Sequence, residues 1–312
     1  MRLWYRTYFG NFGDALNPWL WSRLLPGRLD QSDDTLFLGI GTILDDKVPP
    51  EPRKVIFGAG AGYNGAPSVD EKWEFHCVRG PLTAERLGLP PELAITDPAA
   101  LTATVYRRRR RPSRRIALMP HHESAVQFDW PWLCRRLGLV YLDPCAPVTR
   151  TLAALAQSRL VIAEAMHCAI LADTFRIPWI SVSIYPQFNR FKWEDWCASL
   201  ELPHRSFSAR PLVDNSSQRP LRRLQGYVRR VIRTGSPTRH GRRPDIVPSP
   251  HEHVEETLQQ LSEILAHTDR AQLSSDAVFA DRVRQLEDRL DALKRGAAGF
   301  TRGSLTRSAP IA

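Results

Sequence analysis

Short apolar segments alternate with helical patterns along the first two-thirds of the chain, and this order constrains the fold more than any other feature. The strand-like segments are apolar or β-branched and end at Gly, Pro or a polar loop. We predict strands at Leu3–Tyr8, Thr35–Leu38, Lys54–Phe57, Glu74–Val78, Leu93–Ile95, Arg115–Met119, Val140–Tyr141, Leu160–Ala163 and Trp179–Ser183. We predict helices at Asp14–Leu25, Gly80–Leu87, Trp130–Leu137, Val148–Gln157 and Met166–Phe175. Such alternation favours an α/β fold whose parallel sheets are covered on both faces.

Composition divides the chain into four parts. The arginine run Arg107–Arg111, closed by Pro112, predicts a solvated linker between two similar α/β halves, residues 1–111 and 112–214. Because ligands bind beyond the carboxyl ends of parallel strands, we expect a cleft between these halves. Residues 215–250 predict a basic amphipathic segment and linker, and residues 251–312 predict a helical extension. Its helices are expected at His251–His267 and Ser274–Arg295, the second as a short coiled coil or hairpin, with a disordered tail from Gly296.

The net charge of +10 comes from one segment. Residues 215–244 contain nine arginines and no acid, and without them 34 basic residues face 33 acidic ones. Within this segment, Arg219–Thr234 predicts a basic amphipathic helix. Such a helix can rest on anionic lipid, or it can pack on the fold with its arginines in water.

Several classes of protein are not expected. No apolar run is long enough for a membrane span, and the N-terminus lacks the apolar core of a signal peptide. Five scattered cysteines without a CxxC pair argue against a disulfide framework or a cysteine zinc site. We therefore expect a protein of the reducing cytoplasm.

Two glycine-containing motifs follow strands in the first half. Asn11-Phe-Gly-Asp14 opens the first helix, where the helix dipole favours an aspartate. Asp14 is either a functional residue or a simple helix cap, and Asn11 is either a functional residue or a turn residue. Residues Gly60 to Gly65 satisfy G-x-G-x-x-G, but Pro67 follows and no helix opens at the third glycine, so we predict no dinucleotide site. Backbone amides near Gly60 remain candidates for holding a phosphate or sugar.

Three further strand ends or helix starts carry candidate side chains. Arg79 lies between a strand and Pro81, where its guanidinium suits a carboxylate or phosphate; an ordinary surface arginine is the alternative. His121 and His122 end another strand, and anion binding is favoured over a metal site, which needs further ligands. His167 stands where a strand turns into a helix of small residues; a core histidine is the alternative.

Lys192 and Trp193 lie in the segment Phe191–Trp196, in which charged residues alternate with aromatic ones. This composition suits stacking on a sugar, with amphipathic packing as the alternative.

Taken together, these motifs resemble the polysaccharide pyruvyl transferase family, in particular its succinoglycan-type exopolysaccharide branch. The resemblance covers residues 4–202. It rests on the stretches NFGDALNPWL (11–20), LGIGTIL (38–44), FGAGAGY (57–63), VRGPLTAERLGL (78–89), ITDPA (95–99), MPHHES (119–124), IAEAMHCAILADTFRIPWISV (162–182) and FKWEDWCASL (191–200).

The resemblance implies two Rossmann-like domains facing a cleft, as in GT-B glycosyltransferases. It also implies phosphoenolpyruvate as donor, a lipid-linked oligosaccharide as acceptor, and no metal or other cofactor. His167 then corresponds to the catalytic histidine, with Asp14 as the candidate base. Arg79, His121, His122 and Gly60 become candidates for donor binding, and Asn11, Lys192 and Trp193 for acceptor binding. One departure is Cys168, which stands where the family usually has Gly.

The expected protein is thus a cytoplasmic, peripherally membrane-associated transferase that forms a pyruvyl ketal on an exopolysaccharide sugar. A GT-B glycosyltransferase that uses a nucleotide sugar is the nearest alternative. An arginine-rich protein that binds nucleic acid would explain residues 215–244, but it leaves Arg79 and His167 without a role.

Overall fold

The computed structural model describes residues 1–6, 11–62, 65–107, 114–184, 188–213 and 249–301. The strands of these residues are β1 (Arg2–Leu3), β2 (Thr35–Leu38), β3 (Arg53–Phe57), β4 (Trp73–Cys77), β5 (Ile116–Met119), β6 (Val140–Tyr141), β7 (Leu160–Ala163), β8 (Trp179–Ser183) and β9 (Ser206–Ser208). The helices are α1 (Phe12–Leu24), α2 (Pro81–Leu87), α3 (Thr102–Val105), α4 (Trp130–Arg136), α5 (Val148–Leu155), α6 (Met166–Thr174), α7 (Arg190–Ser199), α8 (His251–Ala266) and α9 (Asp276–Lys294). None of these helices combines the length and the apolar character that crossing a bilayer requires.

The first sheet is parallel and has the order β1-β2-β3-β4. Every residue of β4 is buried, as expected for a strand covered on both faces. Helix α1 packs on this sheet because Leu16, Leu20 and Trp21 recur on one side of it. The indole of Trp21 occupies the space that a Cβ at Gly39 would take, so glycine is required at the end of β2.

The second sheet is also parallel, with the order β6-β5-β7-β8-β9. The chain passes from β5 outward to β6, then returns to place β7 on the other side of β5. The order in which strands are added to the sheet therefore reverses between β5 and β7. Parallel sheets bind their ligands outside the strand ends at such a reversal.

The two sheets share one apolar core. Phe37 and Cys77 of the first sheet belong to the same buried cluster as Val161 and Trp179 of the second. The predicted α/β class with parallel sheets is confirmed. The domain boundaries at residues 111 and 214 and the GT-B-like arrangement stay predictions.

The C-terminal helices pack on different parts of this body. Helix α8 places Leu258 and Leu261 in a core cluster of the second sheet. Helix α9 instead brings Leu286 and Leu290 into the shared core and contacts β4 and the 3-10 turn at residues 98–101. The predicted seam of α9 thus packs on the fold rather than on a partner helix.

Residues 296–301 correct the prediction of a disordered tail from Gly296. Phe300 pairs with Phe75 in antiparallel fashion, and each residue donates its amide to the carbonyl of the other at 2.8 Å. Gly299 donates its amide to the Glu74 carboxylate at 2.7 Å. The remainder of the tail lies outside the described residues.

Most predicted elements match the observed ones within two residues, but several differ. The strand predicted at Leu3–Tyr8 ends at Leu3, and residues 4–6 are not part of a strand. The expected strand Leu93–Ile95 is a 3-10 turn at Pro91–Leu93 followed by a bridge, Val78 to Ala94. Strand β9 and helices α3 and α7 were not predicted. The predicted helix Arg219–Thr234 and most of the linker at Arg107–Arg111 lie outside the described residues.

Candidate active site

The loops that follow β5 and β7 meet at the point where the second sheet reverses direction. The amide of His121, after β5, donates to Glu164 Oε2, after β7, at 2.9 Å. The amide of Glu164 in turn donates to the carbonyl of Met119 at 3.0 Å. These bonds fix the two loops against each other, so the side chains of residues 121–122 and 167 share one sheet edge.

His167 stands at the start of α6, between the two halves of the chain. Its side chain retains 15% of its exposure, but Nε2 is buried and has no hydrogen-bond partner among the described residues. That nitrogen lies 3.6 Å from Oδ2 of Asp97, which belongs to the first half. On another side the ring fits against Gly13, because a Cβ there would overlap Nδ1. The alternative of a fully enclosed core histidine does not describe this position.

Asp14 is a buried carboxyl near the start of α1. It is 9% exposed, and in the part of the chain that the structure describes its Oδ2 has no hydrogen-bond partner. Burial raises the pKa of Asp14 to about 8, and the nearby charges of Arg6 and Lys192 oppose that rise only in part. The residue is therefore mostly protonated at neutral pH. In this state the carboxyl can donate a proton, whereas the sequence predicts a base; the catalytic role of Asp14 stays a prediction.

His121 and His122 lie side by side, with ring centroids 4.2 Å apart. Burial lowers the pKa of His121 to about 2, and the charges of His122 and Lys192 add to this effect. The His121 imidazole is therefore neutral. Its Nδ1 accepts from the amide of Glu123 at 3.4 Å, which favours the tautomer with the proton on Nε2. A neutral ring of this kind can donate one hydrogen bond to an anionic oxygen.

Lys192 links these groups. Its side chain is 8% exposed, and its charge acts on both Asp14 and His121. It was predicted to bind the acceptor. Because its charge also acts on His121, Lys192 is a candidate for donor binding as well, and acceptor binding by Lys192 stays a prediction.

The position of Arg79 contradicts its predicted role as an open clamp for the donor. Its side chain is fully buried. Nε donates to Asp195 at 3.0 Å, one terminal nitrogen donates to Thr42 Oγ1 at 2.6 Å, and the other donates to the carbonyl of Ala61 at 3.0 Å. A donor anion would have to displace one of these partners to reach the guanidinium.

Asp195 makes this arginine a link between the two halves. Besides Arg79, its carboxylate accepts from the amide of Thr83 at 2.9 Å and from the Thr83 hydroxyl at 2.6 Å. Thr83 lies in the first turn of α2, whereas Asp195 lies on α7 of the second half. The buried network therefore fastens α7 to α2.

Gly60 serves this network and not a ligand. A Cβ at Gly60 would overlap the Arg79 guanidinium, and the amide of Gly60 donates to the carbonyl of Gly41 at 2.9 Å. That amide is thus unavailable for a phosphate, which corrects the prediction that Gly60 binds the donor.

Two residues predicted to bind the acceptor have local structural roles. Trp193 is fully buried, with Trp179 and Trp196 among its neighbours, so its predicted contact with a sugar is wrong. Asn11 caps α1, with its Oδ1 accepting from the amide of Gly13 at 2.9 Å. This contact matches the turn alternative, and acceptor binding by Asn11 stays a prediction.

Neither a reactive cysteine at position 168 nor a metal site is found among the described residues. Cys168 is fully buried, and burial raises the pKa of its thiol, so it stays protonated. Among the described residues no group of His, Cys, Asp and Glu could hold a metal ion.

Sequence reasoning gave no role to Asp97, Glu164, Asp195 or Arg6. Asp97 and Glu164 lie inside two of the stretches that carried the family resemblance, which was the available signal. Asp195 also lies inside one of these stretches, residues 191–200, but its partner Arg79 is 116 residues away, so no local pattern indicated their contact.

The chain matches the polysaccharide pyruvyl transferase family over residues 4–184. It belongs to this family. Succinoglycan biosynthesis protein ExoV of Rhizobium meliloti (strain 1021) is 41% identical over 207 residues, which cover 65% of this chain and 65% of that protein. The matched region thus spans just under two thirds of the relative's length. No solved structure matches the chain. The family match includes Asp14, Asp97, His121 and His167, while α7, α8 and α9 lie beyond it.

Proposed function

We propose that this protein transfers the pyruvyl group of phosphoenolpyruvate to two hydroxyls of one sugar and so forms a ketal. The observation that carries this proposal is a group of three features near the point where the strand order of the second sheet reverses. They are a protonated carboxyl, a partly exposed imidazole and a positively charged site that suits an anion. These are Asp14, His167, and Lys192, whose charge acts on His121 of the pair His121–His122. Family membership supports the choice of reaction.

The donor is held through its charges. Phosphoenolpyruvate carries a phosphate and a carboxylate, and both suit a lysine ammonium together with hydrogen-bond donors. Lys192 supplies the charge, and neutral His121 donates from Nε2. Since both side chains are largely removed from water, their attraction to an anion is stronger than it is at an open surface.

The first step joins the donor to one hydroxyl. Asp14 gives its proton to the methylene carbon of phosphoenolpyruvate, which becomes a methyl group. The oxygen of the first hydroxyl bonds to the neighbouring carbon and loses its proton to Nδ1 of His167. Burial keeps the Asp14 proton in place until this step, because a charged carboxylate is disfavoured there.

The second step closes the ring and restores both groups. The second hydroxyl bonds to the same carbon and gives its proton to the Asp14 carboxylate. The carbon–oxygen bond to phosphate breaks, and the imidazolium of His167 protonates the departing phosphate. The products are a pyruvyl ketal and inorganic phosphate, with no net change in Asp14 or His167.

The test measures phosphate release. Purified protein with phosphoenolpyruvate and a sugar acceptor is expected to release phosphate, and His167→Ala is expected to abolish release while keeping the melting temperature. His251→Ala, which changes an exposed histidine on α8, is the matched control and should keep full activity. Turnover in His167→Ala near that of the control would refute the assignment. Nucleotide release from a nucleotide sugar would instead indicate a glycosyltransferase.

The acceptor is proposed to be a sugar of a lipid-linked exopolysaccharide repeat unit, met at the inner face of the membrane by two GT-B-like halves. The name of the relative from Rhizobium meliloti and the nine arginines of residues 215–244 support this part. Flotation with anionic liposomes at low salt, and its loss at high salt, is the expected result. Absence of binding at low salt would refute membrane association and leave the reaction untouched.

A further inference from the structure

Asp97 is a buried carboxylate with one unused oxygen. The residue is fully buried, and its Oδ1 accepts from the amide of Ala99 at 3.0 Å, which caps a 3-10 turn. Its Oδ2 is buried, and no described residue forms a hydrogen bond with it. Leaving a buried polar atom unpaired is unfavourable, and more so for a charged group. Capping the turn accounts for one oxygen only, so the second needs another explanation.

The unused oxygen of Asp97 points to the unused nitrogen of His167. Oδ2 lies 3.6 Å from Nε2, and both atoms are buried with no hydrogen-bond partner. This distance exceeds a hydrogen bond by several tenths of an ångström. Catalytic hydrogen bonds are often long without substrate and tighten when it binds.

The two residues come from different halves of the chain. Asp97 precedes the 3-10 turn at residues 98–101, which packs against α6, and His167 lies in the first turn of α6. Their approach is therefore set by packing between the halves. A small closing movement when substrate binds would bring Nε2 within bonding distance of Oδ2.

We infer that Asp97 is the positioning residue of His167: it holds the proton on Nε2 and thereby leaves Nδ1 free to exchange a proton with the substrate. This inference rests on the proposed function. Because Nε2 is buried, the exposed part of the ring lies elsewhere. Nδ1, on the side of Gly13, is the nitrogen that takes the proton of the sugar hydroxyl and gives it to the departing phosphate.

Asp97→Asn is the decisive variant. Asparagine keeps an oxygen for the Ala99 amide and is an equally good capping residue, so the turn is retained. The change removes the charge that holds the Nε2 proton. We expect kcat to fall about 10²–10⁴-fold, the usual contribution of a positioned acid or base, while KM for phosphoenolpyruvate changes little.

Asp129→Asn is the matched control. Asp129 also caps a helix, through a bond from the amide of Trp132 at 3.1 Å, and has no bond to a histidine. It should leave kcat unchanged. Nitrogen-15 spectra of the His167 ring provide a readout that a purely structural role would not move. They should show the proton on Nε2 in the wild type and the control, and a mixture of tautomers in Asp97→Asn.

Two outcomes would overturn the inference: near-normal kcat in Asp97→Asn, or a fall in kcat with an unchanged tautomer. If Asp97→Asn does not fold, Asp97→Ser, which also keeps a capping oxygen, is judged by the same two readouts. The outcome for His167→Ala separates this inference from the proposed function. An inactive His167→Ala beside a fully active Asp97→Asn refutes the positioning role alone, whereas an active His167→Ala refutes the assigned chemistry itself.

Discussion

The buried carboxyl of Asp14 should make stability depend on pH in a direction opposite to that of most aspartates. The unfolded chain ionises this group near pH 3.8, whereas the folded protein holds its proton up to about pH 8. Between these values the folded state binds more protons than the unfolded state. Stability is therefore fully present below pH 3.8 and is lost as the pH rises towards 8.

The size of this loss follows from the two pKa values. Each pH unit inside the window costs about 1.4 kcal/mol, so the wild type should lose about 2.5 kcal/mol between pH 5 and pH 7 through this group. Asp14→Asn cannot ionise and should not suffer this loss. The gap in unfolding free energy between variant and wild type should widen by that amount over the two pH units and level off above pH 8.

Urea denaturation followed by tryptophan fluorescence at each pH measures the gap. His121, which the folded state holds neutral, titrates in the unfolded state over the same range, but it is present in both proteins and cancels in the difference. A gap that stays constant from pH 5 to pH 7 would show that Asp14 is ionised in the folded protein, and the assignment of Asp14 as the proton donor would fail with it.

Two substitutions test the packing around the site. Arg79→Ala should lower the free energy of unfolding by about 3–5 kcal/mol, because it leaves the buried Asp195 carboxylate without its cation. The control Arg190→Ala breaks the exposed pair of Arg190 with Glu194 on α7, the helix that carries Asp195, and should lower it by less than about 1 kcal/mol. Equal effects in urea denaturation would contradict the structural role of Arg79. Gly13→Ala should displace the His167 ring and lower kcat at least about tenfold, the scale of a lost acid–base alignment. The gain in helix propensity is opposed by the overlap of the new Cβ with the His167 ring, so the melting temperature is recorded beside kcat. Unchanged turnover would show that the ring does not need its observed position.

The fold was largely predictable because its strands are buried on both faces. Such strands appear as unbroken apolar runs, and Leu160–Ala163 and Trp179–Ser183 were placed with their observed bounds. Strand β9 is Ser-Phe-Ser at the sheet edge, which has no such run. Helix α7 mixes tryptophans with charged residues, and Asp195 is buried there because of a distant partner rather than a local pattern.

The site was predictable in its location but not in its internal contacts. Strand ends identified Asp14, His121 and His167, because parallel strands direct their carboxyl ends to a common edge. The same logic misassigned Arg79, since nothing near residue 79 shows that Asp195 lies against it. Asp97 could not be given a role either, because its position beside His167 depends on how the two halves pack.

Helix α9 ties a part of the chain outside the family match to the proposed chemistry. It contacts the 3-10 turn that Asp97 caps and β4, the last strand of the first sheet. Phe300, which follows the helix, also pairs with Phe75 of β4. A protein shortened before residue 276 would thus lose the support beneath Asp97, although every matched motif would still be present. Relatives that lack this helix would need another way to hold the aspartate against its histidine.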